Sequence, residues 1–280
     1  MSSPLAPFLC PPGYAGPTGL RALAGEVTVV REAGHLAYRR PARASTDGVG
    51  RNHPVLLIPG FLAGDATLRP MATRLRAQGY RTYRSRMHAN VRCAQAAGEA
   101  LEHRLEAIVR RRERPVALVG HSLGGLLAKA LAHRRPDLVA GIVTLGSPLL
   151  APGAVHSALA LDLMLLHRLQ RIGFTGLMST DCTSGDCARE SWEQLTAPTR
   201  KGFAFTSVYS RRDGIVDWRA CLDPAASTVE VDCSHVGMAV DRSTHGQVLD
   251  ALARITARAR RTRHCRGHST MVGQPRAASM

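Results

Sequence analysis

The sequence predicts an α/β fold with a mainly parallel central sheet and helices on both faces. Short, wholly apolar runs such as PVLLI at 54–58 and PVALV at 115–119 read as strands buried on both faces. Segments with apolar residues three and four apart alternate with these runs, as parallel-sheet crossovers require. A leucine-spaced stretch at 156–172 falls in the long interval between two strands, where such a face ordinarily packs on the core.

Taken in order, residues 1–17 are rich in proline and glycine and are expected to be irregular. Leu20, Leu23, Val27, Val30, Leu36 and Ala37 suit one helix face, or two short helices broken at Gly34; the β-branched run Val27–Val30 also suits a strand. A polar linker, 42–52, leads to the first core strand, Pro54–Ile58. Asp65 is placed to cap a helix whose buried face is Leu68, Met71 and Leu75, with Gly79 just past its end. A strand is expected over Tyr80–Tyr83, then a long helix with Ala97, Leu101, Leu105 and Ile108 on one face. The strand Pro115–Val119 runs into a helix from Ser122 to Arg134 that must stop before Pro136. Strands follow at Val139–Leu145, Phe203–Tyr209 and Thr228–Val231, and a final helix at Thr244–Arg258. The helix His156–Ile172 aligns Leu159, Leu163, Leu166 and Leu169; a Gly/Ser/Cys segment comes after it. The chain therefore divides into an extension over 1–52, expected to be helical, a main domain over 53–262 with its insertion at about 149–201, and a basic tail, 263–280, expected to be disordered.

With 280 residues, 45% of them hydrophobic, the chain can bury one large core. The longest apolar candidate, Leu159–Leu169, is interrupted by Asp162, His167 and Arg168, which argues against a membrane-spanning helix. The first residues lack a basic start followed by an apolar core, so a cytoplasmic location is expected. The formal charge is +16, but only Lys129 and Lys201 among 37 basic residues are lysine. The arginines are spread along the chain apart from Arg258–Arg266, and no nucleic-acid-binding motif accompanies them. Nucleic acid is not an expected partner; peripheral contact with an anionic membrane is compatible with the charge. The seven cysteines are Cys10, Cys93, Cys182, Cys187, Cys221, Cys233 and Cys265. Metal sites favour CxxC pairs or interleaved histidines, and Cys182-x4-Cys187 alone is a weak signal. Disulfides at 182–187 or 221–233 would require export. Free thiols, no metal and no cofactor are expected.

The chemistry-bearing signal is GHSLGG at 120–125, between a buried strand and a helix. A sharp strand–turn–helix lifts a serine out of the sheet, and glycines two before and two after it relieve the crowded turn. A serine hydroxyl also needs a base and a group to orient that base. Partners are sought at the carboxyl ends of strands. Asp213 follows the strand ending at Tyr209, and His235 follows the one ending at Val231, giving the order Ser122, Asp213, His235. Asp217 is the rival acid, four residues further on. His245 enters the last helix, His121 flanks the serine where a packing role is expected, and His88 and His156 follow no strand. Each chosen residue also has a plainer reading: Ser122 as a helix cap, Asp213 as an Asp-Gly turn residue, His235 as a bonded loop histidine.

IPGF at 58–61, GHSLGG at 120–125, TLGSP at 144–148, YSRRDGIVDW at 209–218 and SHVGM at 234–238 together resemble the α/β-hydrolase family, on its lipase and esterase branch. The resemblance spans residues 54 to about 250 and is nearest to bacterial lipase-like hydrolases. It implies an α/β-hydrolase fold with a helical cap or lid insertion at about 149–201, whose leucines would line a site for an apolar acyl chain, and a serine-dependent carboxylic ester hydrolase that works through an acyl-enzyme on a small-molecule ester or lipid. Ser122 would be nucleophile, His235 base and Asp213 the orienting acid. The oxyanion would bind the backbone N–H groups of Leu123 and Phe61, with Leu62 the alternative to Phe61. Many lipases carry His-Gly where this chain has Pro59-Gly60. The same residues would serve an acyltransferase, and a non-catalytic binding protein on the same scaffold is the reading from a different class.

Overall fold

The computed structural model describes residues 5–29 and 50–269, with the side chains of 262–269 left aside. Six strands form one sheet: β1 (Pro54–Ile58), β2 (Arg81–Arg84), β3 (Val116–His121), β4 (Val139–Leu145), β5 (Ala204–Tyr209) and β6 (Ser227–Glu230). Their order is β2-β1-β3-β4-β5-β6, and every neighbouring pair is parallel. All residues of β1 and β3 are buried, as expected of strands covered on both faces.

Successive strand residues point to opposite faces, and two cores result. On one face, Val55 and Leu57 of β1 and Ala117 and Val119 of β3 pack with Met71 and Leu75 of α2 (Arg69–Ala77). Val248, Leu252 and Ile255 of α8 (Arg242–Ser269) complete that face. On the other, Leu56 and Ile58, Val116 and Leu118 meet Leu101, Leu105 and Ile108 of α3 (Ala94–Arg112) and Leu127 and Leu131 of α4 (Leu123–Arg134). The interval between β4 and β5 holds α5 (Ser157–Arg171), α6 (Asp181–Ser184) and α7 (Asp186–Thr196). The segment expected as a Gly/Ser/Cys connection thus contains two short helices.

Several expectations shift locally. Asp65 caps no helix: it begins a 3₁₀ turn, and its carboxylate accepts from Ser85 N, Ser85 Oγ and Arg86 N at 2.7–3.0 Å. It therefore ties the loop after β1 to the loop after β2. The second strand starts at Arg81, because Tyr80 turns inward to the core at 3% exposure. The last helix runs from Arg242 through Ser269, so its backbone continues well into the stretch read as a disordered tail; residues 270–280 lie outside the described residues. In the extension, α1 covers Leu20–Glu26, while the expectations for Val30, Gly34, Leu36 and Ala37 fall outside the described residues. No described helix is long and apolar enough to cross a membrane.

Candidate active site

Ser122 sits between β3 and α4 with φ 52° and ψ −122°. Positive φ is unfavourable for a residue with a Cβ, and strain of this kind costs roughly 1–3 kcal/mol. Packing around the turn holds it there. Ser122 N donates to Leu145 O at 2.8 Å. A Cβ on Gly120 would lie 2.3 Å from Gly124 O, and one on Gly124 would lie 2.2 Å from Ile58 O, so helix, turn and sheet close only on glycine. Ser122 thereby stands half-buried on the floor of a cavity.

The loops after β5 and β6 bring Asp213 and His235 together. His235 Nδ1 donates to Asp213 Oδ2 at 2.6 Å, with both residues buried. The other carboxylate oxygen accepts from Ile215 N at 2.9 Å and Val216 N at 2.7 Å, which fixes its orientation. Burial disfavours the charged His235 ring, but the Asp213 carboxylate and its hydrogen bond outweigh this and raise the histidine above its ordinary value. Gly146, φ 53°, leaves room for the imidazole: a Cβ there would lie 2.9 Å from His235 Nδ1. No hydrogen bond joins Ser122 to His235 among the described residues. Such bonds are often long without substrate and tighten when it binds.

The rival residues are otherwise engaged. Asp217 accepts from Arg219 N, Nε and Nη2 and from Ala15 N. His121 Nε2 donates to the His235 carbonyl at 2.9 Å, with the two ring centroids 4.9 Å apart. Burial, followed by the charge of His235, lowers His121 to about 4, so it is neutral at pH 7. His156 Nδ1 accepts from Ala158 N and caps α5, and His245 bonds the Ala239 carbonyl. The structure places no described role on His88 beyond its backbone packing against Gly64.

The N–H groups of Phe61 and Leu123 have no acceptor among the described residues, whereas Leu62 N donates to Asn90 O at 3.3 Å. Asn90 is buried, and its Nδ2 donates to Pro59 O at 2.9 Å, which braces the loop carrying Phe61. Two further residues went unread in the sequence. Asn90 is one. The other is Glu26 of α1, whose Oε1 accepts from Gly214 N at 2.9 Å and His235 N at 3.0 Å, and whose Oε2 accepts from Val236 N at 2.8 Å. It pins the loop of Asp213 to the loop of His235, and its charge adds to the upward shift of His235.

Above Ser122 lies an apolar cavity of about 180 Å³. Phe61, Leu123 and Leu127 form its base, and Leu159, Leu163 and Met178 of the insertion form its roof. Leu163, Leu166 and Met178 are buried together against Phe61 and Leu123, so α5 packs directly over the serine. Leu169 is half-buried and does not line the cavity.

The sequence model of the alpha/beta hydrolase fold matches residues 112–173. No curated protein matches the chain. Among solved structures, the chain is similar to the mature lipase BlEst2 of Bacillus licheniformis, with TM-score 0.57, 16% identity and 74% of this chain and 94% of that one covered. It is similar also to a monoacylglycerol lipase of Paleococcus ferrophilus, with TM-score 0.53, 16% identity and coverages of 74% and 96%. A third similar structure is described under two metagenome-derived lipolytic enzymes, LipS and LipT, with TM-score 0.51, 18% identity and coverages of 76% and 96%. The chain has the α/β-hydrolase fold.

Proposed function

We propose that this α/β-hydrolase-fold chain is a serine-dependent carboxylic ester hydrolase acting through an acyl-enzyme on esters with an apolar acyl group. The observation that carries the reading is the 2.6 Å Asp213–His235 pair in loops after successive strands, its imidazole 4.9 Å from the ring of His121, which immediately precedes a strained serine on the floor of an apolar cavity. His235 Nε2 takes the Ser122 proton as Oγ attacks the ester carbonyl. Asp213 holds the ring in the tautomer that presents Nε2 and stabilises the imidazolium that forms. The Phe61 and Leu123 N–H groups bind the developing oxyanion, aided by the N-terminus of α4. His235 returns the proton to the leaving alcohol, and water, activated in the same way, releases the acid and restores Ser122.

A cavity of about 180 Å³ is smaller than the roughly 300–1,000 Å³ common for drug-sized ligands, which favours short to medium acyl chains. Hydrolysis of p-nitrophenyl esters of increasing acyl length tests this. Wild-type protein is expected to prefer short to medium chains, and Ser122→Ala to lose at least about a hundredfold in kcat/KM. Equal rates for the two proteins would reject the reading.

A further inference from the structure

Away from the serine, three cysteines from two distant segments converge. Cys93 immediately precedes α3, Cys182 lies in α6 and Cys187 in the first turn of α7. Their sulfurs all lie within 4.8 Å of one another, and Cys93 Sγ stands 3.5 Å from Cys187 Sγ. The turn between α6 and α7 folds Cys182 back beside Cys187. Asp186 N donates to Asp181 Oδ1 at 2.9 Å, and a Cβ on Gly185 would lie 2.1 Å from that same oxygen.

We propose that Cys93, Cys182 and Cys187 form a binding site for a thiophilic divalent ion, zinc by its chemistry, that fastens the insertion to the core. Sulfurs each ~2.3 Å from a tetrahedral zinc stand about 3.8 Å apart, and the 3.5 Å pair and the 4.8 Å limit straddle that value. A disulfide would engage two sulfurs at about 2.0 Å and leave the third thiol packed against the bond. Three thiols meeting at one point match a metal better. Binding exchanges the thiol protons for the ion, and the complex of three thiolates with one dication is net negative. The N-terminal ends of α3 and α7, where Cys93 and Cys187 sit, favour that charge. No fourth histidine, cysteine or carboxylate joins the group among the described residues, so the fourth coordination position would fall to water. Two ligands belong to the insertion and one to the core, so the ion holds the cavity wall in place.

The test is metal content of the full chain, purified and then reduced with a phosphine, titrated with Zn²⁺ alone and with Co²⁺ as an optical probe. One zinc per chain is expected, together with a cobalt–thiolate charge-transfer band. Zinc should protect Cys93, Cys182 and Cys187 from alkylation. Cys93→Ser, Cys182→Ser and Cys187→Ser should each weaken binding roughly a hundredfold or more, while Cys10→Ser leaves it unchanged. Circular dichroism of each apo variant establishes that it is folded. A folded, reduced chain that binds no zinc, zinc retained undiminished in all three variants, or a Cys93–Cys187 disulfide in protein purified without reductant would overturn the proposal. None of these outcomes depends on ester hydrolysis.

Discussion

Ser122, at φ 52°, carries local backbone strain that neighbouring contacts must offset, as the proposed nucleophile turn would. Its proposed partner titrates where the site needs it. Asp213 raises His235 above 6.5, and the base works only when neutral, so the acid limb of the kcat/KM profile should fall above pH 6.5. His121, lowered to about 4, stays neutral across that limb and does not blur it. Asp213→Asn removes the carboxylate that orients the ring; kcat should drop roughly 10²- to 10⁴-fold, and the residual acid limb should move to lower pH. Asp217→Asn should alter kcat less than about threefold, because its bonds go to Arg219 and Ala15. A pH–rate series on both variants checks this, and the reverse pattern would move the acid to Asp217. The choice between these carboxylates is legible in the sequence only as distance from a strand end. The choice between Phe61 and Leu62 is not, because it turns on Asn90, whose carbonyl engages Leu62 N from a loop 28 residues away.

At the scale of elements, β1, β3 and β4 are legible to within two residues at each end, because strands buried on both faces are predominantly apolar. The edge strands β2 and β6 are half exposed, carry mixed residues and shift by one position against expectation. Helices α6 and α7 were hidden by Gly185 and the polar residues around it, which punctuate rather than extend a pattern. Helix α1 has no buried residue, yet it delivers Glu26 to the loops of Asp213 and His235. No local signal marks a carboxylate whose partners lie 188 to 210 positions away. Glu26 is a positioning residue, since it touches the backbone that carries Asp213 and His235 and not the reacting atoms. Glu26→Gln keeps the shape but removes charge, so His235 should ionise at lower pH and the acid limb of kcat/KM should shift down. Glu26→Ala should also lower kcat roughly tenfold by freeing the loops. A lowered kcat with the acid limb unmoved in both variants would reduce Glu26 to a purely structural brace.

The proposed site draws on five separated segments, at residues 26, 61, 122–123, 213 and 235; the parallel sheet brings the last four to one edge, and α1 adds Glu26. The insertion lines the cavity over Ser122 with Leu159, Leu163 and Met178, so in the proposed hydrolase access and acyl preference would belong to the packing of α5 rather than to Ser122, Asp213 and His235. The helix itself is legible as a leucine face; its contacts are not, because they depend on where the core presents Phe61 and Leu123. Such an assembly should make Ser122 reactive only in the folded chain, since an isolated serine hydroxyl is a weak nucleophile. The direct measurement is peptide mass mapping after exposure to a short-chain alkyl fluorophosphonate. The expected result is one adduct per folded chain, on Ser122, absent from Ser122→Ala and from urea-unfolded protein. An adduct on another serine with Ser122 unmodified, or equal labelling of wild type and Ser122→Ala, would contradict the account.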